Sequence, residues 1–169
     1  MKTIGVIPSR FKSTRLEGKP LADINGKPMV QYVYEAASGA AELDYVIVAT
    51  DDERIADAVR RFGGQVTMTR ADHASGTDRA AEVAATGDAD IVVNIQGDEP
   101  LLDPLMIDEC VRGLKANSDV GICTLVKRIG EESYNDLSVV KTVRDVRERA
   151  LYFSRSVIPF PRFRLPEFQ

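Results

Sequence analysis

Apolar residues fall into two kinds of block that alternate along the chain. Short, continuous, β-branched runs read as strands buried on both faces: TIGVIPS (3–9), DYVIVATD (44–51), QVTMT (65–69), DIVVNIQGD (90–98) and VGICTLVKR (120–128). Between them the apolar positions recur at helical spacing. Val30, Val33, Tyr34 and Ala37 form one face of a helix that Pro28 opens and Gly39 ends. Ile55, Val59 and Phe62 form the face of the next, capped by Asp51 or Asp52, with Arg60 and Arg61 in its last turn and Gly63 as the stop. Two more helices are predicted over about 77–85 and 104–115.

That alternation predicts the α/β class, with a doubly wound, mostly parallel sheet of Rossmann-like type. In such sheets ligands bind outside the carboxyl ends of the strands. Past residue 128 the helical pattern thins, and SVVKTVRD (138–145) and RALYFS (149–154) read as two further strands. The last stretch is rich in proline and aromatics and reads as an extended arm over 158–169. With 169 residues and no repeat, low-complexity tract or linker, one domain over 1–169 is expected.

Composition narrows the function classes. A content of 44% hydrophobic and 28% charged residues is that of an ordinary globular protein. No apolar run is long enough to cross a bilayer, and Pro8 and Arg10 interrupt the N-terminal one, so neither membrane insertion nor a signal peptide is expected. A cytoplasmic protein fits this. Cys110 and Cys123 lack metal-site spacing and read as buried, reduced thiols. The formal net charge of −4 argues against nucleic-acid binding, so any anion site must be local.

One local site stands out. The loop after the first strand carries Arg10, Lys12, Arg15 and Lys19 against a single acid, Glu17. It is far longer than the about two to six residues usual between strand and helix. Arginine grips phosphate oxygens by its planar fork and lysine by point charge. Any one of these cations could be a solvated loop residue; the cluster, at a strand end, favours a phosphate site. It is neither of the commonest phosphate loops. Ser13 stands where a Walker motif needs glycine, Pro20 stands where it needs Ser or Thr, and no G-x-G-x-x-G is present.

Three further stretches carry candidate chemistry. In RADHASGTDRAAE (70–82), Ser75 and Asp78 make a capping box, and the helix start offers N–H groups to an anion or a base edge. His73, the only histidine, and Arg79 flank it. In NIQGDEP (94–100), Asp98 follows the strongest strand beside Gly97, which would let a ligand approach the backbone. A lone carboxylate beside a phosphate site is what Mg²⁺ needs, since that ion completes its shell with water and phosphate oxygens. On its own the stretch would read as a turn. In ALYFSRSVIPF (150–160), Arg155 could clamp a second anionic group such as a carboxylate, although a surface arginine is the plainer reading.

Together these segments resemble the CMP-Kdo synthetases, the 3-deoxy-manno-octulosonate (Kdo) cytidylyltransferases of lipopolysaccharide biosynthesis. IPSRFKSTRLEGKPL looks like the family's signature loop, and VIVATDDERI, MTRADHASGTDRAAE, NIQGDEPL and ALYFSRS follow in family order. The resemblance implies a nucleotide-diphospho-sugar transferase-like fold, a homodimer and Mg²⁺-dependent transfer of CMP from CTP to Kdo. By similarity, Arg10 and Lys19 would hold the triphosphate, with Ser13 and Arg15 in the same loop. His73, Ser75 and Arg79 would lie at the nucleotide. Asp98 would bind the metal, Gln96 would face the sugar and Arg155 would approach its carboxylate.

The chain departs from the family pattern in places. Glu17 replaces a usual proline, Asp136-Leu137-Ser138 replaces a proline-asparagine pattern, and Val157 stands where proline or a small residue is common. The family chain runs on past position 169 and carries a second metal-binding aspartate and further sugar contacts there. Two alternatives therefore stay open. The acceptor could be another 2-keto sugar acid, sialic-acid-like or 8-amino-substituted, or the chain could be a non-catalytic CTP-binding or dimerising remnant.

Overall fold

TIGVIPS forms strand β1 (Thr3–Ser9), and every residue of it except the half-buried Pro8 is buried. The run is apolar on both faces because both faces are covered. Ile4 and Val6 point into one cluster with Ala49, Ala80 and Val83. Ile7 points into the larger one with Val30, Val33, Val48, Ile55, Val59 and Ile107. The protein is described here from a computed structural model that covers residues 1–12 and 16–160. Ser13, Arg15 and the 161–169 part of the expected arm lie outside the described residues.

After β1 come a 3-10 turn (Lys19–Leu21) and a small hairpin of β2 (Asp23–Ile24) and β3 (Lys27–Pro28). The hairpin turns on Asn25 and Gly26, both at positive φ (53° and 86°), the pairing that a two-residue turn demands. Periodicity misses it because its strands are too short to show alternation. Pro28 consequently lies in β3, just before helix α1 (Met29–Ser38), and is not its first residue. The chain continues through β4 (Tyr45–Thr50), α2 (Glu53–Arg61), β5 (Val66–Met68), α3 (Gly76–Thr86), β6 (Ile91–Asn94) and α4 (Pro104–Lys115).

These strands pair in the order β5–β4–β1–β6, all parallel. The path steps outward from β1 to β4 to β5, and then returns across β1 to β6. It is the doubly wound α/β arrangement expected. The direction reverses between β1 and β6, where the carboxyl ends of adjacent strands splay apart. Helices α1, α2 and α4 supply the larger core cluster and α3 the smaller.

One expected strand is absent. Residues 122–130 carry no regular structure, and Ile122 is 89% exposed. Strand propensity describes fit to a pleated surface and produces a strand only where a neighbour offers one. Here Cys123 turns to α4 instead, where its carbonyl accepts from Cys110 Sγ at 3.4 Å. Both cysteines are half-buried and unbridged, and burial with the neighbouring thiol pushes Cys110 up to about 11.

Contacts gather the chain into two compact units, Met1–Leu125 and Val126–Gln169. The second contains α5 (Glu131–Asn135) and an antiparallel pair, β7 (Lys141–Arg144) with β8 (Ala150–Ser154). Lys141 is buried, and its ammonium donates to the carbonyls of Asp136 (2.5 Å), Val139 (3.1 Å) and Arg155 (2.9 Å). The Tyr134 hydroxyl donates to the Pro159 carbonyl, which ties the start of the expected arm to α5.

Ile7 is fully buried at the centre of the larger cluster, so truncating it leaves a cavity that its strand neighbours cannot close. Ile7→Ala is expected to lower the unfolding free energy by about 2–5 kcal/mol, read from urea denaturation. A loss below about 1 kcal/mol would mean that the core relaxes around the gap.

Candidate functional site at the carboxyl ends of the strands

β1 and β6 stay paired only as far as Val6 opposite Asn94. The Val6 carbonyl accepts from the Ile95 N–H at 2.8 Å, so the β6 side of β1 is the side that Val6 faces. Pro8, two residues on, turns its nitrogen the same way, beyond the end of the β6 ladder. A proline is therefore tolerated in a central strand because no ladder bond is missing there.

Two backbones close in around that proline. A Cβ on Gly76, the first residue of α3, would sit 3.3 Å from Pro8 Cβ. A Cβ on Gly97 would sit 3.2 Å from the Pro8 carbonyl oxygen and 3.3 Å from Ser9 Oγ. Gly97 thus lets β1 pass close by.

The three converging segments enclose a cleft of about 460 Å³. Arg10 enters it from the end of β1, and Lys19 from the 3-10 turn that closes the loop after β1. His73, Ser75 and Arg79 line it from the start of α3, and Gln96 and Asp98 from the turn after β6. Leu16 and Pro20 add apolar wall. Of the sequence candidates, Ser13 and Arg15 lie outside the described residues, and Arg155 belongs to the second unit. The Arg155 guanidinium donates to the carbonyls of Leu137 (3.2 Å) and Ser138 (2.7 Å).

Charge in the cleft is only partly committed. Lys19 Nζ donates to Asp98 Oδ2 at 2.6 Å, a half-exposed pair that spans the cleft from loop to strand end. Arg79 is buried; it donates to Thr69 Oγ1 and lies 3.3 Å from Asp51 Oδ1. It ties α3 to the ends of β4 and β5, and Asp51 already balances its charge. The Ser75 hydroxyl accepts from the Asp78 N–H at 3.1 Å while the Asp78 carboxylate accepts from the Ser75 N–H at 3.0 Å, the reciprocal cap expected.

Among the described residues no three His, Cys, Asp or Glu side chains group closely enough to hold a metal ion by themselves. Asp98 is a single carboxylate on the cleft wall, paired with Lys19. A divalent cation there would take its other ligands from water and phosphate oxygens.

A further residue emerges that periodicity could not point out. Glu82, two turns along α3, accepts from His73 Nε2 and, at 3.1 Å, from the Arg70 N–H. The His73 side chain is only 6% exposed, so this bond sets the orientation of the one imidazole in the cleft wall.

Residues 4–169 match the family model described as Cytidylyltransferase. A 3-deoxy-manno-octulosonate cytidylyltransferase of Geobacter metallireducens is 56% identical over 167 residues, covering 97% of this chain and 64% of the relative. The chain thus spans about 64% of the length of that curated relative. Among solved structures, a CMP:2-keto-3-deoxy-manno-octonic acid synthetase complexed with CTP is 48% identical, with a TM-score of 0.93 over 96% of this chain and 67% of that one. A cytidylyltransferase from Leptospira borgpetersenii is 26% identical, with a TM-score of 0.62 over 70% of this chain and 51% of that one.

The Glu82 carboxyl lies below its ordinary range because His73 first, and then the Arg70 N–H, hydrogen-bond the ionised form. Its stabilisation is fully present above the unfolded value of about 4.3 and is lost as pH falls through the lower folded value. Glu82→Gln should therefore differ most from the parent near neutral pH, and the gap in Tm should close on acidification below about pH 4. Parallel Tm curves across that window would show that the pair contributes nothing.

Proposed function

The chain belongs to the cytidylyltransferase family, and from that premise we propose that the cleft holds CTP and that the protein transfers CMP from CTP to the anomeric hydroxyl of Kdo. The hydroxyl oxygen forms a bond to the α-phosphorus, the bond from that phosphorus to the bridging oxygen breaks, and pyrophosphate leaves as the hydroxyl proton is given up. The observation that carries this reading is the convergence of Arg10, Lys19 and Asp98 on one cleft at the switch point of the sheet.

The roles follow from the charges. Arg10 and Lys19 grip the triphosphate, and the family resemblance adds Ser13 and Arg15 of the same loop to the nucleotide-binding set. Lys19 exchanges its Asp98 partner for phosphate oxygens, so charge already present in the cleft is redirected and little new charge has to be buried. His73, Ser75 and the start of α3 face the nucleotide, and Gln96 faces the sugar. Enzymes of this class generally use a divalent metal, and Asp98 would hold Mg²⁺. That ion, when bound, supplies positive charge to the triphosphate and polarises the reacting phosphoryl group. Preplaced charge and positioning carry the rest, since negative charge accumulates on phosphate oxygens as pyrophosphate departs. The protein is taken to act as a homodimer in the cytoplasm; no helix among the described residues is long and apolar enough to cross a membrane.

Incubation with CTP, Mg²⁺ and Kdo, followed by pyrophosphate release, tests the reading. Release that requires Kdo is expected, and Asp98→Ala should abolish it without changing the circular dichroism spectrum. Release with a sialic-acid-like or 8-amino sugar acid but not with Kdo would move the acceptor. CTP binding with no turnover would leave only the nucleotide half of the proposal standing.

A further inference from the structure

Phe11 and Gly18 bracket the phosphate loop, and each adjoins one of the cations that line the cleft: Arg10 precedes Phe11 and Lys19 follows Gly18. The two brackets are joined. The Gly18 N–H donates to the Phe11 carbonyl at 2.9 Å, with Gly18 in the left-handed region at φ 68°. A Cβ at position 18 would sit 3.0 Å from Phe11 Cε2 and 3.1 Å from Cζ, so the ring occupies the space that a side chain there would need.

The same ring carries a cation from another element. Arg54, in the first turn of α2, places its guanidinium carbon 3.3 Å from the Phe11 ring centroid. Asp52 holds that guanidinium in plane through Nε (2.9 Å) and Nη2 (2.6 Å) while also capping α2. Arg54 is kept above its ordinary range chiefly by Asp52, with Glu17 adding a smaller attraction. The Arg54 side chain is 61% exposed and is not among the residues that line the cleft.

We propose that Arg54 is a positioning residue for anion binding: stacked on Phe11, it holds both ends of the phosphate loop together and so aims Arg10 and Lys19 into the cleft. The inference rests on the reading of the cleft as a nucleotide site and adds to it a residue that acts only through the loop.

The test uses the full chain, with CTP affinity measured by calorimetry and loop closure by amide hydrogen exchange at Gly18. Arg54→Ala should weaken CTP binding roughly 3- to 30-fold, the range of a stacked guanidinium, with Tm nearly unchanged. Phe11→Leu, which removes the ring but keeps apolar contact, should weaken binding similarly, and the double variant should be little worse than either single one. Gly18 exchange should accelerate in both. Unchanged CTP affinity in Arg54→Ala, or full additivity of the two substitutions, would overturn the inference. If the parent protein fails to bind CTP, the nucleotide reading falls, and Gly18 exchange alone decides the loop contact: unaltered protection in Arg54→Ala refutes it.

Discussion

The site depends on how closely three backbones approach at the end of β1. Pro8 has no N–H to satisfy, and its nitrogen points past the last paired residue of β6. That lets the chain end its central strand without an orphaned donor in a buried place. Gly76 packs on the proline ring and Gly97 on its carbonyl, at distances where a side chain would press on its neighbour and oblige it to give by a few tenths of an ångström. The start of α3 and the turn after β6 therefore reach the same few ångströms of β1. Arg10, His73, Gln96 and Asp98 share one cleft because of that approach.

Electrostatics then act within a frame that packing has already set. The cleft balances itself through Lys19 and Asp98, a pair light enough in burial to be exchanged. Deeper in the wall, Arg79 is committed to Asp51 and Thr69, and His73 to Glu82. The exposed pair can respond to a ligand, whereas the buried partners hold shape. This ordering agrees with the modest worth of exposed ion pairs and the high cost of breaking buried ones.

Much of this was legible in the residues. The alternation of β-branched runs with helical faces placed β1, β4, α2, α3 and α4 almost to their ends, because buried parallel strands and capped helices leave strong local marks. The cationic loop, the Ser75 cap and Asp98 were visible for the same reason. What escaped depends on distant partners. VGICTLVKR has strand character, but no neighbouring edge takes it up, and Cys123 turns to α4. Phe11 stands among cations with no local pattern to explain it, because its partner, Arg54, comes from a distant helix. Glu82 read as one more polar position on α3, although its partner is the only histidine.

The central claim is that anion binding is localised where β1, α3 and the turn after β6 meet. Backbone amide chemical shifts followed during a CTP titration test it most directly. The account predicts that the largest changes fall on Ser9 and Arg10, on Lys19, on Ser75 and Gly76, and on Gln96 to Asp98, all saturating together. Saturable changes confined to another face, with these amides unmoved, would contradict it.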